Sequence, residues 1–328
     1  MHNFSKIKNT VIFLAIFVLL NYLLSYFLIP KGAMQKSFYK FRSEKNINFL
    51  CIGDSMDAWS LNLNILQNKV SKNAYVVSVN GGNLETSYMF LLEAVRRFNL
   101  KNVIIGWDII QNFETPGYEY KEQAEFYNNM ISEAEKNTKL RQILLPKLLK
   151  QTFTETIFKS CIYRENLKKI PEVLKTKNTD LSSPFERKYD EDGRPLKPID
   201  STNLDNYGYH RIVETTQYSS KIRESDINYI KAIKKICDEN NINLAFLLVP
   251  LPDCVIKGIP VVNDMVSVSD NFFKQEGIEF INGFDQVFFK KSTNDVNFKD
   301  CFGHMIEPYR SEFTEYFIEY LDKKSITN

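Results

Sequence analysis

Three histidines and two tryptophans are all that 328 residues carry, so imidazole chemistry has very few places to sit. The chain lacks Gly-x-Gly-x-x-Gly and any Gly-x-x-x-x-Gly-Lys-Ser/Thr run, which removes the backbone cradles that dinucleotides and nucleoside triphosphates require. It has no excess of one charge. Forty-two basic residues against 40 acidic ones leave +2, so a polyanion partner has no compositional support and nucleic-acid binding is not expected. The five cysteines are odd in number and never fall as Cys-x-x-Cys. A disulfide framework and a zinc site are therefore not expected, and the thiols read as scattered buried side chains. No metal or other cofactor is expected.

What is present is enough apolar material for a large core, 44% hydrophobic against 25% charged residues, within a length suited to one α/β domain with an insertion. The first thirty residues are set apart. Residues 11–29 run without a charge and as a helix would cover about 28 Å, close to the bilayer's hydrocarbon thickness. The run is long for a cleavable signal and no small-x-small site follows it, so residues 1–30 read as a single-pass anchor in the lipid bilayer. Residues 31–45 form a basic juxtamembrane linker, with cations suited to anionic headgroups. Lys6 and Lys8 precede the span, but Lys31, Lys36, Lys40, Arg42 and Lys45 follow it; that count alone places the following domain inside the cell.

From residue 46 the pattern becomes β-α-β-α. Ile47 to Ile52 is an apolar run long enough for a buried strand, and it breaks at Gly53-Asp54-Ser55, where glycine permits a sharp exit. Ser55 is thus expected at the C-terminal end of a strand, the edge where open α/β sheets collect ligands and reacting groups. Residues 61–70 and 85–98 show helical spacing, and residues 75–79 and 102–105 read as two further strands. Between the second strand and its helix sits Asn80-Gly81-Gly82-Asn83. Its glycines either present amide hydrogens to an oxyanion or serve a turn that needs positive φ.

Residues 110–222 interrupt the alternation and read as a largely helical insertion, with helices over 119–137, 140–150 and 154–174, too long for a plain loop. The polar stretch 178–219 carries Tyr207, Tyr209, Tyr218 and His210; its tyrosines suit either packing or a sugar-binding cleft. The α/β pattern resumes with a helix capped at Ser225 or Asp226. A strand over 244–249, a helix over 261–274 and a strand over 278–281 follow. Five strands separated by helices imply a three-layer α/β/α sandwich with a mainly parallel, flavodoxin-like sheet whose strand order the sequence leaves open. Asn297 to His304 then brings Asp300 and His304 ahead of a last helix over 308–321. A serine early and an aspartate and histidine late form a nucleophile constellation whose members meet in the fold. Asp295 is the reserve for Asp300.

Gly53-Asp54-Ser55 after the first strand, Gly81-Gly82 after the second, and Asp300 with His304 before the last helix resemble the SGNH/GDSL hydrolase superfamily over residues 46–325. The chain is most similar to the membrane-anchored, DltD-like branch that works with cell-envelope O-acyltransferases. The resemblance implies Ser55 as nucleophile, His304 as base and Asp300 as its orienting partner, with Gly81, Gly82, Asn83, Asp54 and Asp108 as the oxyanion and substrate-binding set. It also implies an outward-facing domain, against the charge count. Two departures stand out. The third block reads Gly106-Trp107-Asp108 where the superfamily often has Gly-x-Asn-Asp, placing an acceptor where a donor is wanted, and Asp300 to His304 is one residue longer than Asp-x-x-His.

The activity implied is that of a serine esterase or O-acyltransferase on acyl esters of a glycopolymer such as teichoic acid or a surface polysaccharide, with a membrane-bound O-acyltransferase as partner. The rival expectation is a catalytically weak or inactive docking or carbohydrate-binding module of the same machinery.

Overall fold

The computed structural model describes residues 2–29, 33–79, 81–113, 127, 130, 137–150, 164–177, 196–214, 218–285, 293–324 and 326. The chain forms two compact units, one of residues 1–43 with 120–183 and the other of residues 44–119 with 184–328. Much of the helical stretch expected over 119–137, the start of that over 154–174, and all of 178–195 lie outside the described residues.

In the first unit, α1 (His2–Leu28) contains 23 residues, Lys6–Leu28, apolar enough to cross a membrane, with a mean hydropathy of 2.4. Its side chains are largely exposed along this length. The last carbonyls of a helix need partners, and here Asn166 Nδ2 donates to the Leu28 carbonyl at 2.9 Å while the Lys177 ammonium donates to Ile29. Lys177 also lies 5.1 Å from the centre of the Tyr26 ring. Leu28 is buried with Ile29 and Ile170 packed against it. The stretch read as a linker carries α2 (Ala33–Ser43). Further on come α7 (Thr138–Lys150) and α8 (Ile170–Thr176), the latter with Pro171 in its first turn, where a missing N–H costs nothing.

The second unit is an α/β fold around a five-stranded, all-parallel sheet. Its strands are β1 (Phe49–Gly53), β2 (Ala74–Ser78), β3 (Asn102–Gly106), β4 (Asn243–Leu248) and β5 (Glu279–Asn282), in the order β2-β1-β3-β4-β5. All five residues of the interior strand β1 are buried. This is why it reads as a continuous apolar run rather than an alternating one. Phe49 pairs with Ala74 on one side and Asn102 on the other, so β1, β2 and β3 end level with one another. The order reverses direction at β1, and doubly wound sheets open a crevice at such a switch point beyond the strands' carboxyl ends.

The helices between them are α3 (Ser55–Ser60), α4 (Leu63–Lys69), α5 (Leu84–Arg97), α6 (Ile109–Asn112), α9 (Glu224–Glu239), α10 (Asp253–Gly258), α11 (Val262–Gln275) and α12 (Tyr309–Lys323). α5 packs on β1 and α9, α11 on β5, and α12 on α3 and α4. The cap of α9 is a correction. Neither Ser225 nor Asp226 caps it; Arg223 stands at the N-cap without a side-chain cap bond, and its guanidinium pairs with the buried Asp226 carboxylate at 2.7 Å. The attraction within the first turn replaces a hydroxyl or carboxylate cap.

An aromatic block fixes the end of β3. Trp107 meets Phe273 edge-on at 5.1 Å, and Phe273 stacks on Phe246 at 4.6 Å and Phe280 at 4.9 Å. The buried indole N–H is satisfied by Ser269 Oγ at 2.8 Å, and that hydroxyl donates to the Met265 carbonyl at 2.7 Å. Trp107→Ala should therefore cost about 3 to 5 kcal/mol through the cavity and the lost indole hydrogen bond to Ser269. Urea unfolding of wild type and variant measures this, and a loss below about 1 kcal/mol would mean that the block does not hold β3 in place.

Candidate active site

β1 leads directly into the turn that carries Ser55. Asp54 is the N-cap of α3: its Oδ1 accepts the Met56 N–H at 2.7 Å and the Asp57 N–H at 3.4 Å, while Asp57 Oδ2 accepts the Asp54 N–H at 3.1 Å. This reciprocal capping box, spelled Asp-x-x-Asp, leaves Ser55 as the first helical residue with its side chain clear of the box. Glycine is required on both sides of it. A Cβ at Gly53 or Gly106 would stand 2.0 or 1.8 Å from Asp57 Oδ2, so the Asp57 carboxylate lies directly against the ends of β1 and β3.

Residues 297–306 bring the base. Lys299 N–H bonds to the His304 carbonyl at 2.9 Å, Ile306 N–H to the Asn297 carbonyl at 3.0 Å, and Phe298 bridges Met305. This makes a short hairpin with Phe298 and Met305 fully buried. The longer spacing from Asp300 to His304 is taken up at its tip. Asp300 Oδ1 accepts the Phe302 N–H at 3.1 Å, and Gly303 adopts φ +80°, a left-handed conformation that a residue with a Cβ adopts only at a cost.

The three expected residues come together. His304 Nε2 lies 2.8 Å from Ser55 Oγ, and His304 Nδ1 lies 2.8 Å from Asp300 Oδ2. A carboxylate at Nδ1 fixes the tautomer with the proton there, leaving Nε2 to accept from the serine hydroxyl. Both partners are largely shielded, with 13% of the His304 side chain and 18% of that of Asp300 exposed. The reserve Asp295 is occupied elsewhere, accepting the Cys254 N–H at 2.9 Å. His210 pairs with Glu214 on an exposed π-helical turn and takes no part in the cluster.

Two residues beyond the expected set attend this relay. Trp59, one helical turn after Ser55, has its ring centre 5.6 Å from that of His304. Lys299 Nζ sits 4.0 Å from the centre of the Trp59 ring and 3.6 Å from Asp300 Oδ2. The i, i+4 spacing of Ser55 and Trp59 was a visible signal, since it places both on one helix face. Nothing in the sequence marked Lys299, which depends on the hairpin.

The remaining expected residues gather beside the turn. Gly81 has φ +63°, and the Gly82 N–H donates to the Val79 carbonyl at 2.9 Å. Asn83 caps α5 through Thr86 at 3.1 Å. Asp108 caps α6, its Oδ1 accepting Ile110 N–H at 2.8 Å and Gln111 N–H at 3.3 Å. Glycines and caps alike thus spend hydrogen bonds on local structure. Among the described residues, the Ser55 N–H and the Gly81 N–H have no acceptor.

Asp54 and Asp57 are buried with the half-buried Asp108 beside them, a cluster that the sequence did not disclose. Burial holds Asp54 well above the usual carboxylate range, with the charges of Asp108 and Asp57 adding to it. Burial likewise pushes Asp57 up to about 7 and raises Asp108. A side-chain hydrogen bond with Asp108 adds to the rise at Asp54, and Gln111 Nε2 donates to Asp54 Oδ2 at 3.2 Å. These residues line a small pocket with Gly82, Asn83, Ser87 and Asn112. Ser87 and Asn112 are buried, and among the described residues their side chains have no hydrogen-bond partner. The pocket is thus a polar hollow at the ends of β1 and β3, next to the nucleophile turn. Among the described residues no group of histidine, cysteine and carboxylate side chains is arranged to hold a metal ion.

The assembled groups can perform nucleophilic displacement at an acyl carbon, with proton transfer through an oriented imidazole. Comparison of the chain with models of known protein families and with curated proteins finds no match.

Proposed function

We propose that the protein is a membrane-anchored serine esterase or O-acyltransferase of the SGNH type, acting on acyl esters of a cell-envelope glycopolymer such as teichoic acid or a surface polysaccharide. The observation that carries this reading is the continuous relay Ser55 Oγ, His304 Nε2, His304 Nδ1 and Asp300 Oδ2, with both links at 2.8 Å. The all-parallel five-stranded sheet of the α/β unit supports the same reading.

In the reaction, Ser55 Oγ attacks the acyl carbonyl carbon as His304 Nε2 takes the hydroxyl proton. The Ser55 N–H, which has no acceptor among the described residues, serves the developing oxyanion. Collapse expels the alcohol, protonated by His304, and leaves an acyl ester on Ser55. A glycan hydroxyl or water, deprotonated by His304, then takes the acyl group. Turnover of p-nitrophenyl esters of increasing acyl length tests the reading. Hydrolysis abolished by Ser55→Ala supports it; a rate unchanged by that substitution discards it.

A second reading, a docking or carbohydrate-binding partner of a membrane-bound O-acyltransferase, draws on Asp108 standing where a donor is wanted and on the Gly82 N–H being spent on Val79. Loss of one oxyanion donor costs about 100- to 1,000-fold in rate, so slow transfer assisted by a partner lies between the two readings.

The apolar helix is taken as the anchor, with the α/β unit on the outer face of the cell membrane. Protease treatment of intact cells should cleave the α/β unit. A unit cut only after lysis would place it inside, as the cations after the helix would have it.

A further inference from the structure

The cysteines are not all scattered. Cys254 Sγ and Cys301 Sγ lie 3.8 Å apart although 47 residues separate them in sequence. Cys254 opens α10 just beyond the exit of β4, and Cys301 stands between Asp300 and His304 in the hairpin that supplies the base. Both backbones are fixed. The Cys254 N–H donates to Asp295 Oδ1 at 2.9 Å and the Asp253 N–H to the Thr293 carbonyl, while the Cys301 N–H donates to the Tyr207 carbonyl at 2.9 Å. A disulfide needs its sulfurs about 2.05 Å apart, so each must approach by only about 0.9 Å, within the reach of a modest side-chain rotation.

We propose that Cys254 and Cys301 form a disulfide that fastens the His304 hairpin to the end of β4. Cys254 is half-buried and Cys301 fully buried, so Cys254 is the sulfur that a reagent meets first. Its thiol attacks a disulfide RSSR, forming a mixed disulfide and releasing one RSH. Cys301 Sγ then attacks Cys254 Sγ and releases the second RSH. Two protein thiols and one RSSR thus become one protein disulfide and two RSH, with the two thiol protons carried away on the leaving groups. The hydrogen bond with Cys301, burial and the nearby Asp295 all push the Cys254 thiol pKa upward. A thiol held protonated in this way attacks slowly, so the bond forms faster as the pH rises. The cross-link closes a loop through α11 and β5, and the longer such a loop, the more a disulfide restricts the unfolded chain.

The test uses the full-length chain in detergent, with oxidised glutathione as the probe. After exposure, denaturation in alkylating reagent and digestion, mass spectrometry should find a Cys254–Cys301 linked peptide. Dithiothreitol should remove it and lower the melting temperature by roughly 5 to 10 °C. The Cys254→Ser variant should melt near the reduced wild type and ignore dithiothreitol. Full alkylation of both cysteines after oxidised glutathione overturns the proposal. So does a linked peptide whose reduction leaves the wild-type melting temperature unchanged, or a Cys254→Ser protein that still responds to dithiothreitol.

Discussion

Ser55→Ala, His304→Ala and the double variant should each drop ester turnover to the same residual rate, about 10⁴- to 10⁶-fold below wild type. The three should coincide because nucleophile and base act as one unit. Without the imidazole the hydroxyl keeps its proton, and without the hydroxyl the imidazole has nothing to activate. Asp300→Asn should cost as much or less, since an amide in place of the carboxylate leaves Nδ1 without its fixed acceptor and frees the wrong tautomer. Folding should hardly respond, because Ser55 contributes little packing at a strand exit; matching melting curves would show that the loss is chemical. Additive losses, with the double variant far below either single one, would mean that the two residues work in separate steps.

The second large effect concerns stability against pH. Asp54, Asp57 and Asp108 hold protons in the folded protein at pH values where the unfolded chain has released them, because burial penalises their charges. Their folded pKa values are raised, so their contribution is complete below the unfolded value near 4 and is lost as pH rises through the folded values. For Asp57 that window runs from its ordinary value of 3.8 to about 7. Each proton so retained steepens the decline by about 1.4 kcal/mol per pH unit. Asp57→Asn removes one titration while keeping an oxygen to accept the Asp54 N–H, so it should flatten the curve and stabilise the protein at pH 8 by up to about 4 kcal/mol. Melting temperatures of both proteins across pH 4.5 to 8.5 isolate this contribution by difference. Parallel curves would show that Asp57 is ionised in the fold throughout. The same substitution should leave Ser55 in place but disturb the hollow at the strand ends.

These carboxyl groups show where the sequence stopped being legible. The strands could be read because their apolar runs are uninterrupted: Leu50 to Ile52, Val103 to Ile105 and Ala245 to Leu248 are buried. Ser55, Asp300 and His304 could be read because histidine is scarce and a glycine-marked strand exit is distinctive. The carboxylate cluster could not. It depends on β1 lying beside β3, and a sequence of alternating strands and helices does not state which strands are neighbours. Asp57 reads as an ordinary polar helix residue until Gly53 and Gly106 are seen to crowd its carboxylate. The approach of Cys254 to Cys301 rests on the same kind of long-range placement, joining the exit of β4 to a hairpin that follows β5. The α9 cap was misread for a local reason. Ser225 and Asp226 are good caps by residue type, but the preceding arginine starts the helix earlier and engages the aspartate from outside.

Intact mass after reaction with a fluorophosphonate probe tests the central claim most directly, since only a serine whose proton is taken by a neighbouring base attacks such phosphorus centres at a useful rate. The account predicts one adduct per chain, mapped to the peptide containing Ser55 and absent from both Ser55→Ala and His304→Ala. A folded wild-type protein that takes up no probe, or takes it at another serine, would contradict it.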